Sequence, residues 1–130
     1  MSVEDGQEMI ARMAPRLDPR GWVFVISDDP VLVEKALATF REDEGLSLIL
    51  PEEANAGGLL MSRITLDVHS SLTGVGLTAA VSGALAEAGI ACNVVAAYHH
   101  DHLFVPEDRA EQAMAILREL SSRARRSAIR

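Results

Sequence analysis

The segment Val68-His69-Ser70-Ser71-Leu72-Thr73-Gly74-Val75-Gly76-Leu77 holds the residues of this sequence whose types and spacing best suit ligand chemistry. Two glycines where a helix begins let backbone N–H groups approach a small anion such as an α-carboxylate. The hydroxyls of Ser70, Ser71 and Thr73 can cap the helix or join in binding. The helix N-terminus itself supplies about half a positive charge, without any lysine or arginine. The same residues also have a structural use, with Ser71 or Thr73 as N-cap and the glycines permitting close packing on a sheet. A dinucleotide fingerprint is excluded, because Gly74-Val75-Gly76 lacks the third glycine and no phosphate-binding lysine follows.

His99-His100-Asp101-His102 is the second cluster. Strand alternation puts His100 and His102 on one face, although a hairpin tip can bring ligands together. A structural zinc site needs four ligands, and His69 is the one further candidate of the usual kind, so a metal reading would use His69, His100, Asp101 and His102. The alternative is a polar turn in which Asp101 caps backbone N–H groups. Asp67 and His69 share a strand face, but no serine or cysteine stands at a nucleophile elbow, and hydrolase signals are absent. Cys92 is the single cysteine, which rules out an internal disulfide, and its apolar surroundings suit a small core residue.

These residues need elements to hold them. Ser2 and Asp5 resemble a capping box for a short first helix ended by Pro15, and Leu17–Gly21 reads as a turn before a strand over Trp22–Ser27. Residues 31–42 suit a helix opened by Asp29 and Pro30, with Leu37–Glu42 equally readable as a strand. Leu46–Leu50 reads as a strand and Glu52–Gly58 as a short helical turn. Ile64–His69 alternates strictly, which predicts a half-buried strand presenting Thr65, Asp67 and His69 to solvent. A helix from about Thr73 to Ala88 places Leu77, Val81, Leu85 and Ala88 on one stripe, and Gly89 ends it. Ala91–His99 and Leu103–Val105 read as strands around a tip at His99–His102. Pro106, Glu107 and Asp108 open a last helix. Trp22, Phe24 and Phe40 are expected in the core. The order β-α-β-β-α suggests a split βαβ arrangement with helices on one face and a right-handed crossover to a parallel neighbour. No close internal repeat is found by residue identity.

The chain has 130 residues, 48% hydrophobic and 24% charged, enough for a core without disulfides or metal. Lys+Arg is 12 against Asp+Glu 19, a net charge of −7, which opposes phosphate-backbone binding. Residues 1–60 carry 12 acidic and 5 basic groups and residues 61–130 carry 7 of each, so the excess lies in the first half. Arg118, Arg123, Arg125, Arg126 and Arg130 near the C-terminus suit the negative pole of a helix dipole. No signal-like run and no apolar stretch of membrane-spanning length is present, and a cytoplasmic protein with no nucleic-acid or membrane partner is expected.

Thr73-Gly74-Val75-Gly76-Leu77, followed by Ala84-Leu85-Ala86-Glu87-Ala88-Gly89-Ile90 and a strand through Val94-Val95, resembles the signature of ACT domains. With Ala38–Ser47, Val68–Leu72, Gly76–Ala80 and Tyr98–Pro106, the chain is similar over about residues 8 to 120 to small bacterial proteins made of two ACT-like domains. Its architecture is more distantly similar to that of cytosolic arginine sensors. The resemblance implies an α+β fold of two tandem ferredoxin-like βαββαβ units, a degenerate one over residues 1–58 and a second over residues 61–130, with antiparallel sheets and helices on one face. It implies a non-catalytic sensory or regulatory module that binds a small ligand, typically an amino acid, without a cofactor, in a homodimer formed through a sheet edge. Carried over by position, Ser70, Ser71, Thr73, Gly74, Val75 and Gly76 receive the ligand's carboxylate and Asn93 offers an amide. Glu42 or Glu44 receives the amino group, which would suit a zwitterion and a cationic amino acid in particular. The first half lacks its own glycine loop, which puts a second equivalent site in doubt. The competing readings are a metal-dependent enzyme built on the histidine cluster and a purely structural interaction module.

Overall fold

The structure, a computed structural model, describes residues 5–69 and 72–129, with side chains described as far as Ser127. Asp5 starts α1 (Gly6–Arg12) by accepting hydrogen bonds from the Gln7 and Glu8 amides. There follow β1 (Pro15–Ile26), α2 (Pro30–Lys35), β2 (Ala38–Glu42), β3 (Gly45–Pro51), a 3₁₀ turn at Glu52–Ala54, β4 (Met61–Leu66), α3 (Leu77–Glu87), β5 (Asn93–Ala96), β6 (Asp101–Pro106), a second 3₁₀ turn at Glu107–Arg109, and α4 (Ala110–Ile129). Residues 31–42, open between helix and strand, contain both: Asp29 caps α2 and the chain re-emerges as β2.

All six strands form one antiparallel sheet in the order β2-β3-β1-β4-β6-β5. The sequence pattern predicts a parallel neighbour for β4, but β6 lies between β4 and β5 and pairs antiparallel with both. Two βαββαβ circuits are interlocked here. The first runs β1-α2-β2-β3, through a 3₁₀ turn in place of a helix, to β4; the second runs β4-α3-β5-β6-α4 and is completed by β1. Each circuit's first strand is the other's last, and the halves therefore pair within one chain through β1 and β4.

The registers expose a repeat that identity alone had not shown. Ala38 faces Ile49 in β2–β3 as Asn93 faces Phe104 in β5–β6. This aligns Leu48-Ile49-Leu50-Pro51-Glu52-Glu53 with Leu103-Phe104-Val105-Pro106-Glu107-Asp108, each ending in a 3₁₀ turn opened by proline. Proline ends pairing because it has no N–H to donate.

The four α-helices of the described residues cover one face. Ile64, Leu66, Leu103 and Val105 bury against Met9, Met13, Leu77, Val81, Leu85, Met114 and Leu117, while Val23, Leu48 and Leu50 pack with Leu32 and Val33 of α2 and with Ala36, its C-cap. The opposite face is closed by curvature. Trp22, Ile49, Met61 and Phe104 are buried there with no helix over them, and Ala38 and Val95, from the two edge strands, pack on the same cluster. The right-handed twist of a six-stranded sheet has brought its edges toward each other.

Several sequence expectations change for physical reasons. Leu17–Gly21 is strand, not turn: Leu17 faces Ile64 and Gly21 faces Ser62, so Asp18-Pro19-Arg20 bulges opposite Arg63. Thr65 is buried, because on the concave side its hydroxyl lies 2.9 Å from His102 Nδ1. Of the three expected core aromatics only Trp22 is buried; Phe24 is 38% and Phe40 72% exposed on the concave side, outside the buried cluster. The helix expected from Thr73 begins at Leu77, since Gly76 holds φ 110°, a left-handed conformation that ends the preceding loop. The tip of the second hairpin lies at Ala97–His100, closed by the Ala97 amide donating to the His100 carbonyl, and Asp101 and His102 belong to β6.

Candidate functional site

At one end of the sheet β4 releases the loop that leads into α3. No side chain caps the N-terminus of α3 among the described residues, in contrast to α2, whose amide at Val31 is taken by Asp29. The first junction thus neutralises its helix terminus with its own carboxylate. Among the described residues the second leaves its first N–H groups without a side-chain acceptor.

Beside that terminus is a small cavity of about 100 Å³ lined by Met9, Leu72, Gly74, Leu77, Thr78, Ala96 and Asp101. The register explains the convergence. Asp101 pairs with Leu66 at the end of β4 and with Ala96 at the end of β5, so both strands stop where the glycine loop begins. Asp101 is 8% exposed, and its carboxylate accepts no hydrogen bond among the described residues. Among the described residues it therefore caps no turn, contrary to the expectation for the histidine cluster. Burial raises its pKa, against a smaller opposing pull from His100. The cavity therefore joins a buried acceptor of positive charge to a helix terminus that accepts negative charge.

α1 closes the cavity from above. A Cβ on Gly6 would collide with the Val75 carbonyl, so only glycine permits this approach of helix to loop. The Ser121 hydroxyl and the Arg125 guanidinium fasten the far end of α1 by donating to the Ala11 carbonyl at 3.0 and 3.1 Å.

Of the residues singled out in the sequence, Gly74 lines the cavity, Gly76 is the N-cap of α3, and Thr73 and Val75 lie in the same loop. Ser70 and Ser71 lie outside the described residues. Asn93 faces Phe104 on the concave side, at the far end of β5 from Ala96. Glu42 and Glu44 sit at the tip of the β2–β3 hairpin, beside the Ile26 end of β1, whereas the glycine loop is beside the Pro15 end; within one chain the two do not meet. In the local sequence Asp101 reads as a turn cap, a metal ligand or an acid–base group, not as the acceptor of a ligand's ammonium. Its place on a buried strand next to the loop depends on pairing across β4, β6 and β5, which the local sequence does not display.

The four histidines do converge, but ring on ring. His69 stacks on His99 at 5.0 Å between centroids and meets His100 edge-on at 4.7 Å, while His100 and His102 are 6.4 Å apart. Among the described residues no group of three His, Cys, Asp or Glu side chains is arranged to hold a metal ion. Desolvation by its ring neighbours, with His100 and His99, lowers the pKa of the exposed His69; burial, then Arg63, His100 and Arg16, lower that of His102, with Asp67 opposing. Cys92 is half-buried against the helical core, and burial pushes its thiol up. No helix among the described residues is long and apolar enough to cross a membrane.

Family comparison covers nearly the whole chain. Residues 62–119 match one model of the ACT domain and residues 3–63 match another. Among solved structures, a Vibrio cholerae protein of unknown function, described as a possible transport protein, is 43% identical, with 86% of this chain and 92% of that one covered at a TM-score of 0.76. An Agrobacterium tumefaciens protein shares the fold at 18% identity, covering 78% and 82% with a TM-score of 0.61. The regulatory subunit of aspartate kinase from Thermus thermophilus does so at 13% identity, covering 85% and 97%, also at 0.61. No curated protein matches.

Proposed function

The chain belongs to the ACT-domain family, with two such domains in tandem, and from that premise we propose that it is a non-catalytic regulatory module whose ligand is a small amino acid bound at the glycine loop of the second unit. ACT domains are regulatory small-ligand modules, which gives the class. The observation that carries the ligand is Asp101: a buried carboxylate with no hydrogen bond among the described residues, in a cavity that also opens on the uncapped terminus of α3. A zwitterion matches both ends, its ammonium on Asp101 and its carboxylate on the amides of the Gly76–Thr78 segment. The cavity of about 100 Å³ favours a small side chain, and the distance of Glu42 and Glu44 removes the reason to prefer a cationic one. Asp29 occupies the equivalent terminus in the first unit, which argues for one site per chain. Binding is read out through α1, whose Met9 forms the lid of the cavity.

The test is a thermal-shift screen of the twenty amino acids at millimolar concentration on the folded protein. Stabilisation by a small neutral amino acid, abolished by Asp101→Asn, is expected. A folded protein stabilised by none of the twenty overturns the reading.

A further inference from the structure

The concave face holds a second cavity, of about 130 Å³, that shares no lining residue with the one at the glycine loop. It exists because the sheet curls. Ala38 on β2 and Val95 on β5 wall it from opposite edges, and Ile49 and Phe104 form its apolar floor. Two polar groups enter it, Arg63 and His102. Arg63 directs Nε and Nη2 at Asp18, at 3.2 and 2.7 Å, which leaves its Nη1 without a partner among the described residues. His102 engages Thr65 through Nδ1, which leaves its Nε2.

Among the described residues no carboxylate lines this cavity. Two carboxylates act on its polar groups, and both are engaged: Asp18 accepts from Arg20, Arg63 and the Trp22 indole, and Asp67 accepts from Arg16. An ammonium group therefore has no acceptor here, while an anion has a guanidinium and an imidazole. A cavity of about 150 Å³ accommodates a benzene ring, so this one takes a body of about that size. We propose that the concave cavity is a binding site for a small apolar monocarboxylate without an amino group, such as a single-ring aromatic or branched aliphatic acid, whose carboxylate is held by Arg63 and His102. The ligand's apolar body fills the space between Ala38, Ile49, Val95 and Phe104, and the bound acid bridges the two edges of the sheet.

Titration with benzoate and isovalerate, followed by calorimetry and by the His102 imidazole resonances, tests the proposal. The charge of His102 responds to Arg63, His100, Arg16 and Asp67 around it, and a bound carboxylate adds a further negative neighbour that moves its titration to higher pH. Binding of the acids should exceed that of benzamide and isovaleramide by roughly tenfold or more, the scale of a charge-assisted hydrogen bond. Ala38→Leu, or Val95→Phe from the other edge, fills the cavity and should abolish binding in a protein with an unchanged circular dichroism spectrum. Asp101→Asn should leave benzoate binding intact, which separates this site from the amino-acid site. Equal binding of acid and amide, unchanged binding to both cavity-filling variants, or loss of benzoate binding in Asp101→Asn overturns the proposal.

Discussion

Arg63 on β4 donates Nε and Nη2 to the same carboxylate oxygen of Asp18, across the bulge where β1 leaves register. Asp18 also accepts from the Trp22 indole, and Arg20 and Arg63 both lie over that ring, at 4.8 and 5.0 Å from its centroid. Strand bulge, ion pair and buried tryptophan are one arrangement at the seam where the two ACT units meet.

Asp18→Asn should cost about 3 kcal/mol, because it removes a buried carboxylate and leaves the largely covered Arg63 without its counter-charge. Desolvation opposes ionisation of Asp18, but the hydrogen bonds from Arg20 and Arg63 outweigh it and hold the carboxyl well below the usual carboxylate range. The unfolded chain, with an aspartate of pKa 3.8, then binds the proton first. The stability this group contributes is complete above pH 3.8 and is lost as pH falls below it. Urea unfolding between pH 2 and 6 should show a steeper acid loss in the wild type than in Asp18→Asn.

Asp101→Asn should stabilise the ligand-free protein by about 1 kcal/mol, the usual scale for relieving strain kept at a binding site. Burial raises the Asp101 pKa, so its ionisation opposes folding at neutral pH, and a neutral amide removes that opposition. Thermal denaturation at pH 7 should show a higher Tm for the variant, together with loss of amino-acid stabilisation. A lower Tm would show that Asp101 is structural.

Gly6→Val should destabilise the docking of α1 by roughly 1–3 kcal/mol, the cost of overpacking a close contact. The collision is with the Val75 backbone carbonyl, which cannot rotate away as a side chain would. Hydrogen exchange should show lost protection in α1 while the β4–β6 amides keep theirs.

Stability should also fall as pH drops through about 6.5, the unperturbed histidine value. The folded-state pKa values of His69 and His102 lie below it, so the unfolded chain takes up protons first. Full stability is present above 6.5 and declines below it toward the folded-state values. His69→Gln combined with His102→Gln should flatten the dependence of the unfolding midpoint between pH 7.5 and about 5.5.

Local sequence determined the elements whose causes are local. The Leu77, Val81 and Leu85 stripe made α3, Asp29 and Pro30 opened α2, alternation over Ile64–Leu66 marked β4, and Gly74 and Gly76 marked the loop that the ACT resemblance named. What depends on pairing between distant strands was decided only by the tertiary structure. Strand periodicity says which side chains share a face but not which strand lies beside which, so the interlocking of β1 and β4, the burial of Thr65 under His102 and the position of Asp101 beside Gly74 were not legible in any single segment. The same holds for the exposed Phe40 and the closed concave face. Sheet curvature accumulates over six strands, and no residue encodes by itself that Ala38 and Val95 will face each other.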